Sequence, residues 1–459
     1  MRKFFRYFII ALVSLLVIAI TYVLISFPPV MTGMAAKTMC SCVYVAGRTP
    51  ESVREKELQV FPGLASMSIV LTTDSAVEAK FLGRMSKAIY RKGLGCTLLA
   101  EREETEVRQQ KISLSKELTP VLDSIPWPMG NLTSSAILPN VKYDAINAAV
   151  AHSFEDVDPE NPVFTHAVVV LYDGQIVAEK YAAGFNRDSR MMGWSMTKSI
   201  TNALVGVLVK EGKLTVDAPA PVSEWANDAR KEITLNNLLQ ATSGLAWSES
   251  YFNPSSDFHR MFIHSDDKAA YSASKELKAE PGTVFEYSSG TTNILSRMIR
   301  QTVGDDAYYS FPQEKLFHKA GMHSVIIEPD ASGTFVASSY CFASARDWAR
   351  FGLLYLNDGV GNGKRILPEG WVKYSTTSST AAPIQQYGAQ IWLNQGNAAS
   401  PTDRLYPELP QETFLFDGFE HNFVVIVPSK KLVVVRLGVT HNKNFDLQAL
   451  VKNIIEALP

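Results

Sequence analysis

The residues best placed to do chemistry lie in "GWSMTKSITNALVGVLVKEGKL", residues 193–214, where Ser195 and Lys198 stand three positions apart at the start of an apolar run. On a helix this spacing puts both side chains on one face, so hydroxyl and amine can meet. Burial and the positive end of the helix dipole both disfavour an ammonium there, leaving a neutral amine able to accept the serine proton and create a nucleophile. The structural alternative is a serine cap with a lysine snorkelling outward. Ser-x-x-Lys alone is weak, for it occurs four times, at Ser113/Lys116, Ser195/Lys198, Ser265/Lys268 and Ser272/Lys275. Only the second pair opens a helix apolar on all sides, with Ile200, Ala203, Leu204, Val207 and Leu208 on one face and Val205 and Val209 opposite. The other lysines sit among charged and polar neighbours and are expected to stay solvated, which makes them poor bases.

A second constellation is "PGTVFEYSSGTTN". A Pro281-Gly282 turn and a short extended run bring Tyr287-Ser288-Ser289 to the start of the next helix, where a phenol can relay a proton. Most tyrosines of this kind are amphipathic core residues, so the tripeptide is informative only beside the Ser/Lys pair. In "SGLAWSESYF", Glu249 and Tyr251 lie on a loop. No His-Glu-x-x-His or Gly-x-Ser-x-Gly is present, which argues against a zinc protease and an α/β-hydrolase. No metal or cofactor is expected. The glycines of "NDGVGNGKRI" follow a helix, so they read as a turn and not a phosphate cradle.

These residues need a scaffold. "HAVVVLYDGQIVAEKYAAG" is two apolar runs joined at Asp173-Gly174, and "NFVVIVPSKKLVVVRLG" is a second hairpin turning at Pro428 to Lys431. Between them lie mostly helices, including one capped by Thr234 and stopped by Gly244, and one running to Gly304; another follows in "FDLQALVKNIIEAL". This order predicts an α/β (α+β) fold, with an antiparallel sheet built from both ends of the domain and a helical lobe inserted between them.

Upstream, residues 28–129 read as an extension holding short β-like runs ("SMSIVLTT", "AVEAKFLG", "LGCTLLAE"), either packed on the main domain of 130–459 or spacing it from the membrane, with no catalytic pattern of its own. Residues 1–27 contain Arg2, Lys3 and Arg6, then twenty uncharged residues, Phe8 to Phe27. As a helix that is ~30 Å, enough to span a bilayer, and the basic residues before it predict an extracytoplasmic domain, periplasmic or at the cell surface. A cleaved signal peptide is the main competing reading, though its apolar region is usually ~7–15 residues, and a buried core helix is the third. A net charge of −2 without a run of five like charges lacks the footprint expected of a nucleic-acid binder. An exported chain permits disulfides; of Cys40, Cys42, Cys96 and Cys341, either Cys40 or Cys42 is the partner for Cys96, with four free thiols as the alternative.

With Ser195-Met196-Thr197-Lys198 and Tyr287-Ser288-Ser289, together with "TLNNLLQATSGLAWSESY", "SSYCFASARDWARFGLLYLNDG" and "VPSKKLVVVRLG", the chain resembles the serine β-lactamase-like hydrolases over roughly residues 130–459. Within them it looks closest to the aminohexanoate-oligomer hydrolases. The resemblance implies a β-lactamase/transpeptidase-like fold with an all-helical subdomain, Ser195 as acyl-enzyme nucleophile, Lys198 as base and Tyr287 as proton shuttle. It implies a contact of Ser289 with the lysine or substrate, where many members have asparagine, and a substrate role for Tyr251. The third family motif, Lys-Thr-Gly or His-x-Gly, falls on Phe416-Asp417-Gly418, which makes Phe419 the second oxyanion donor beside Ser195. His421, next in the strand turn, is a further substrate-contact candidate. Phenylalanine in place of the motif lysine points away from β-lactams and towards small esters or linear amides. A penicillin-interacting enzyme and a non-catalytic sensor of the same fold are the alternatives.

Overall fold

The valine-rich runs pair into one sheet. The structure, a computed structural model, describes residues 2–459 apart from 62, 73, 115–120, 157, 159–161, 398–399, 401 and 442–444. Lys116, of the first Ser-x-x-Lys pair, lies outside the described residues. Helix α1 (Arg2–Cys40) leads into strands β1 (Ser68–Leu71), β2 (Ala76–Phe81), β3 (Arg84–Arg91) and β4 (Gly95–Leu99), an antiparallel meander in that order. Sequence reading found three of these strands and missed β3, whose apolar residues do not alternate regularly. The apolar run continues as helix through Pro28-Pro29, and the part beyond it packs on β2, β3 and β4. The disulfide joins Cys40 to Cys96, tying α1 to β4, while Cys42 and Cys341 are free and buried.

The main sheet holds β5 (Thr165–Tyr172), β6 (Gln175–Tyr181), β7 (Trp392–Leu393), β8 (Phe414–Gly418), β9 (Asn422–Val427) and β10 (Leu432–Gly438), in the order β7-β8-β9-β10-β5-β6. All its pairings are antiparallel, and β10 against β5 joins the two ends of the domain. Alternation splits each strand between two cores: Ala167, Val169, Val433 and Val435 face one, Val168, Val170, Leu432 and Val434 the other. The second core is covered by α2 (Tyr143–His152) and α9 (Leu447–Glu456). The first receives α3 (Thr197–Lys210), α4 (Leu235–Leu239), α7 (Ser289–Val303) and α8 (Ala345–Leu356). Two further helices, α5 (Asp257–His264) and α6 (Lys268–Ala273), join the helical lobe to the extension. Thr234 caps α4 in a reciprocal capping box with Asn237. The helix ends at Leu239, before the expected stop at Gly244, because Ala241 already turns to φ +55°. Gly244 serves a different close approach: a Cβ there would lie 2.1 Å from the Ala279 carbonyl oxygen.

Candidate active site

Ser195 sits in a single 3-10 turn (Trp194–Met196) that feeds directly into α3. Trp194 just before it adopts φ +47°, a left-handed conformation unusual for a bulky residue and a common form of strain at functional sites. Two close approaches fix the turn. A Cβ on Gly193 would overlap Trp348, and a Cβ on Gly418 would lie 2.3 Å from the Gly193 carbonyl oxygen. The end of β8 is therefore pressed against the segment leading into Ser195.

Residues 197–208 of α3 are buried all round, and Lys198 is 2% exposed. Its Nζ donates to Ser195 Oγ at 3.1 Å, Ser289 Oγ at 3.1 Å and the Ser338 carbonyl at 3.1 Å, and lies 4.8 Å from the centre of the Tyr287 ring. All three hydrogen-bond partners are uncharged. Burial pulls the lysine down from 10.5 to about 8, against the more distant carboxylates of Glu249 and Asp417, which favour its charge. Tyr287 moves the other way: burial holds its phenol well above the usual range, although a hydrogen bond with Ser195 opposes the shift. The phenol is thus neutral. Its ring is set by Tyr387 and Trp392, at 5.7 and 5.4 Å.

Ser289 is held from behind. Its N–H donates to Glu249 Oε2 at 2.9 Å, its hydroxyl donates to Glu249 Oε1, and Trp247 Nε1 donates to the same carboxylate at 2.5 Å. Asp417, beside Gly418, is raised to about 7 by desolvation, with Lys198 opposing. Phe416 does not enter the cleft but is fully buried against Phe351 and Tyr355, at 4.8 and 5.1 Å. Phe419 faces Trp194 and Tyr251, at 5.5 and 5.3 Å. The Phe419 turn is anchored by Arg436, a fully buried guanidinium that donates to the carbonyls of Glu420, His421 and Val163. His421, at φ +61°, packs its ring towards Phe423 and Phe445. Tyr251 packs on Phe258, and its carbonyl meets His259 Nε2 at 2.8 Å.

The structure thus gathers Ser195, Lys198, Tyr287 and Ser289, with Tyr251, Gly418 and Phe419 along one side, and seats His421 among aromatic rings. Glu249, Ser338 and Arg436 escaped the sequence reading as parts of the site because each reaches it from a distant segment. One expectation is corrected. Lys268 is not solvated: it is 4% exposed, and its Nζ donates to the carbonyls of Met261, Phe262 and Ser265, closing the C-terminal end of α5. Its neighbours in sequence are charged, but the fold places it under a helix end.

Residues 160–458 match the Beta-lactamase family, and the chain belongs to it. It is 28% identical over 223 residues to the 6-aminohexanoate-dimer hydrolase of Paenarthrobacter ureafaciens, covering 46% of this chain and 56% of that protein. The chain thus spans little more than half the length of that curated relative. Among solved structures, a penicillin-binding-protein homologue from Caulobacter crescentus superposes with a TM-score of 0.54 at 16% identity, over 70% of this chain and 98% of the other. A family VIII carboxylesterase gives 0.50 at 16% identity, over 71% and 98%. The fold is the β-lactamase/transpeptidase-like one, an antiparallel sheet flanked by helices with a helical lobe beside it.

Proposed function

We propose that the protein is a serine hydrolase that cleaves a small ester or linear amide through an acyl-enzyme on Ser195. The observation that carries this reading is a buried lysine whose hydrogen-bond partners are all neutral, one of them the hydroxyl it would deprotonate. Neutral Lys198 takes the Ser195 proton as Oγ attacks the carbonyl carbon, and the oxyanion is held by the N–H groups of Ser195 and Phe419. Tyr287, a neutral phenol, hands its proton to the leaving alcohol or amine and is reprotonated from Lys198. Water, deprotonated through the same pair, then releases the acid. Tyr251 and Ser289 line the substrate side, and His421 is assigned no step.

A relative named a 6-aminohexanoate-dimer hydrolase supports this reading, and a protein of the same fold is named a family VIII carboxylesterase. The burial of Phe416 disfavours the penicillin-interacting alternative, because the motif position supplies no cation for a β-lactam carboxylate. By this reading residues 130–459 are the hydrolase domain and 28–129 its spacer. The exposed apolar part of α1, long enough to cross a bilayer, anchors them with the catalytic domain on the extracytoplasmic side. The test is hydrolysis of a p-nitrophenyl ester by the full-length chain in detergent beside Ser195→Ala. Turnover that vanishes in the variant supports the hydrolase; none in either, with both folded, favours a sensor of the same fold.

A further inference from the structure

The apolar end of α1 does not leave the domain by a free linker. Tyr22, inside the uncharged run, shares a hydrogen bond of 2.6 Å with Ser255, on the loop that carries Glu249 and Tyr251. Further along, a Cβ on Gly33 would touch Ile263, so α5 runs beside α1 and keeps that loop at the membrane end. Strand β3 gives a second ruler. Ser86 shares a hydrogen bond of 2.8 Å with Thr32, and Tyr90 stacks on Tyr44 at 5.2 Å, so the β2–β3 hairpin points back towards the start of α1. Its tip, Leu82-Gly83, has φ of +47° and +75°. At ~3.3 Å per strand residue and ~1.5 Å per helix residue, the tip lies about level with the last turn of the uncharged run.

At this level the surface is apolar with basic residues beside it, Lys80 and Arg84 being exposed. Leu82 is 62% exposed, Met85 56% and Phe252, on the Tyr251 loop, 79%. Phe252 packs on Phe61 at 5.9 Å, and the residue before it in the chain, Tyr251, begins a series of aromatic contacts that leads inward: Tyr251 meets Phe419 at 5.3 Å, and Phe419 meets Trp194 at 5.5 Å, one residue from Ser195. Exposed apolar side chains grouped round an emerging span form an interfacial surface.

We propose that the hairpin tip and Phe252 sit in the lipid bilayer that α1 crosses, and that Ser195 receives its ester from the bilayer along this aromatic path. The substrate is then an amphiphile whose acyl chain is dissolved in lipid. The occupant is fixed by continuity with the span, whose Tyr22 is bonded to the same loop. The delivery step rests on the hydrolase reading; the docking step rests on α1 crossing the bilayer and not on the chemistry.

The test uses the full-length chain in phosphatidylcholine–phosphatidylglycerol vesicles, with an environment-sensitive fluorophore on Leu82→Cys, Phe252→Cys or, as control, Lys364→Cys. Cys42 and Cys341 are buried and do not compete for the label. Lipid-borne doxyl groups are expected to quench the labels at 82 and 252 about twofold or more and to leave 364 unquenched. No quenching at 82 and 252, or disulfide cross-links between copies at those positions in its place, overturns the docking. Leu82→Asp/Met85→Asp is expected to slow hydrolysis of a long-chain ester dissolved in the vesicle about tenfold or more, with p-nitrophenyl acetate turnover within about twofold of the parent. An equal effect on both esters overturns delivery from the bilayer. A parent that hydrolyses neither ester strikes the catalytic reading alone, because the quenching still decides the surface.

Discussion

Two buried lysines in this chain meet opposite fates. Lys37, at the junction between the extension and the main domain, is 3% exposed and forms an ion pair with Glu328, whose carboxylate also accepts from Ser41 at 2.9 Å and from the Cys96 N–H at 2.6 Å. Desolvation lowers Lys37 and raises Glu328, and each partner opposes the other's shift. Lys198 is just as buried, but its partners are two hydroxyls and a carbonyl. For Lys37 the contacting carboxylate makes burial a structural tie. Lys198, buried without one and bonded to the Ser195 hydroxyl, can release its proton near neutrality, the property required of a base, whereas Lys268, also without a contacting carboxylate, closes a helix end.

The largest expected effect breaks the chemical half of that contrast. Lys198→Ala should lower kcat/KM on a small ester by a factor on the order of 10³ or more and leave the thermal midpoint unchanged or raised, since the buried amine it removes is hydrogen-bonded but has no contacting counter-charge. Unchanged labelling by an active-site serine probe would remove the lysine from the mechanism. The structural half is broken by Lys37→Ala, which leaves Glu328 buried and unpaired and should cost about 3–5 kcal/mol in denaturant unfolding. A Lys37→Met/Glu328→Leu double variant, which removes both charges, should recover most of that loss. If the double variant is as unstable as the single one, packing and not charge pairing holds this junction.

The contrast also marks what the sequence can and cannot disclose. Ser195 and Lys198 are legible because three residues on a helix fix their proximity, and the apolar run around them announces burial. The two hairpins are legible because strand alternation and turn residues are local. Tyr287 and Ser289 gain meaning only beside the first pair. Lys37 and Glu328 are 291 positions apart, and nothing local pairs them. Lys268 misleads for the same reason: charged neighbours in sequence suggest water, whereas the fold supplies the carbonyls of a helix end. The same limit hides Ser338, whose own carbonyl accepts from Lys198, and Arg436, whose guanidinium donates to backbone carbonyls of another segment.

A smaller effect sharpens the picture of Lys198 itself. Because its pKa is lowered to about 8, the active neutral form is the minor one at pH 7, about a tenth of the total. Activity therefore rises with pH, about tenfold per unit well below 8, and levels above it, provided the free enzyme's kcat/KM is followed. A flat profile between about pH 5 and 9 would end the neutral-lysine account.

The subtlest effect tests what sets that midpoint. Glu249 is the larger of the two carboxylate influences that favour the ammonium, ahead of Asp417, and it acts from behind Ser289 without touching Nζ. Removing its charge should make the ammonium less favourable, so Glu249→Gln should shift the midpoint of kcat/KM to lower pH, by about one unit or less. Asp417→Asn should move it in the same direction by a smaller amount, because its influence is the weaker and its own carboxyl, raised to about 7, carries only part of its charge near neutrality. Gln keeps acceptor and donor capacity towards Ser289 and Trp247, so a change in midpoint with little change in plateau separates charge from positioning. A midpoint that stays fixed in both variants would mean that burial alone sets the basicity of Lys198, and Glu249 would then serve only to hold Ser289 in place.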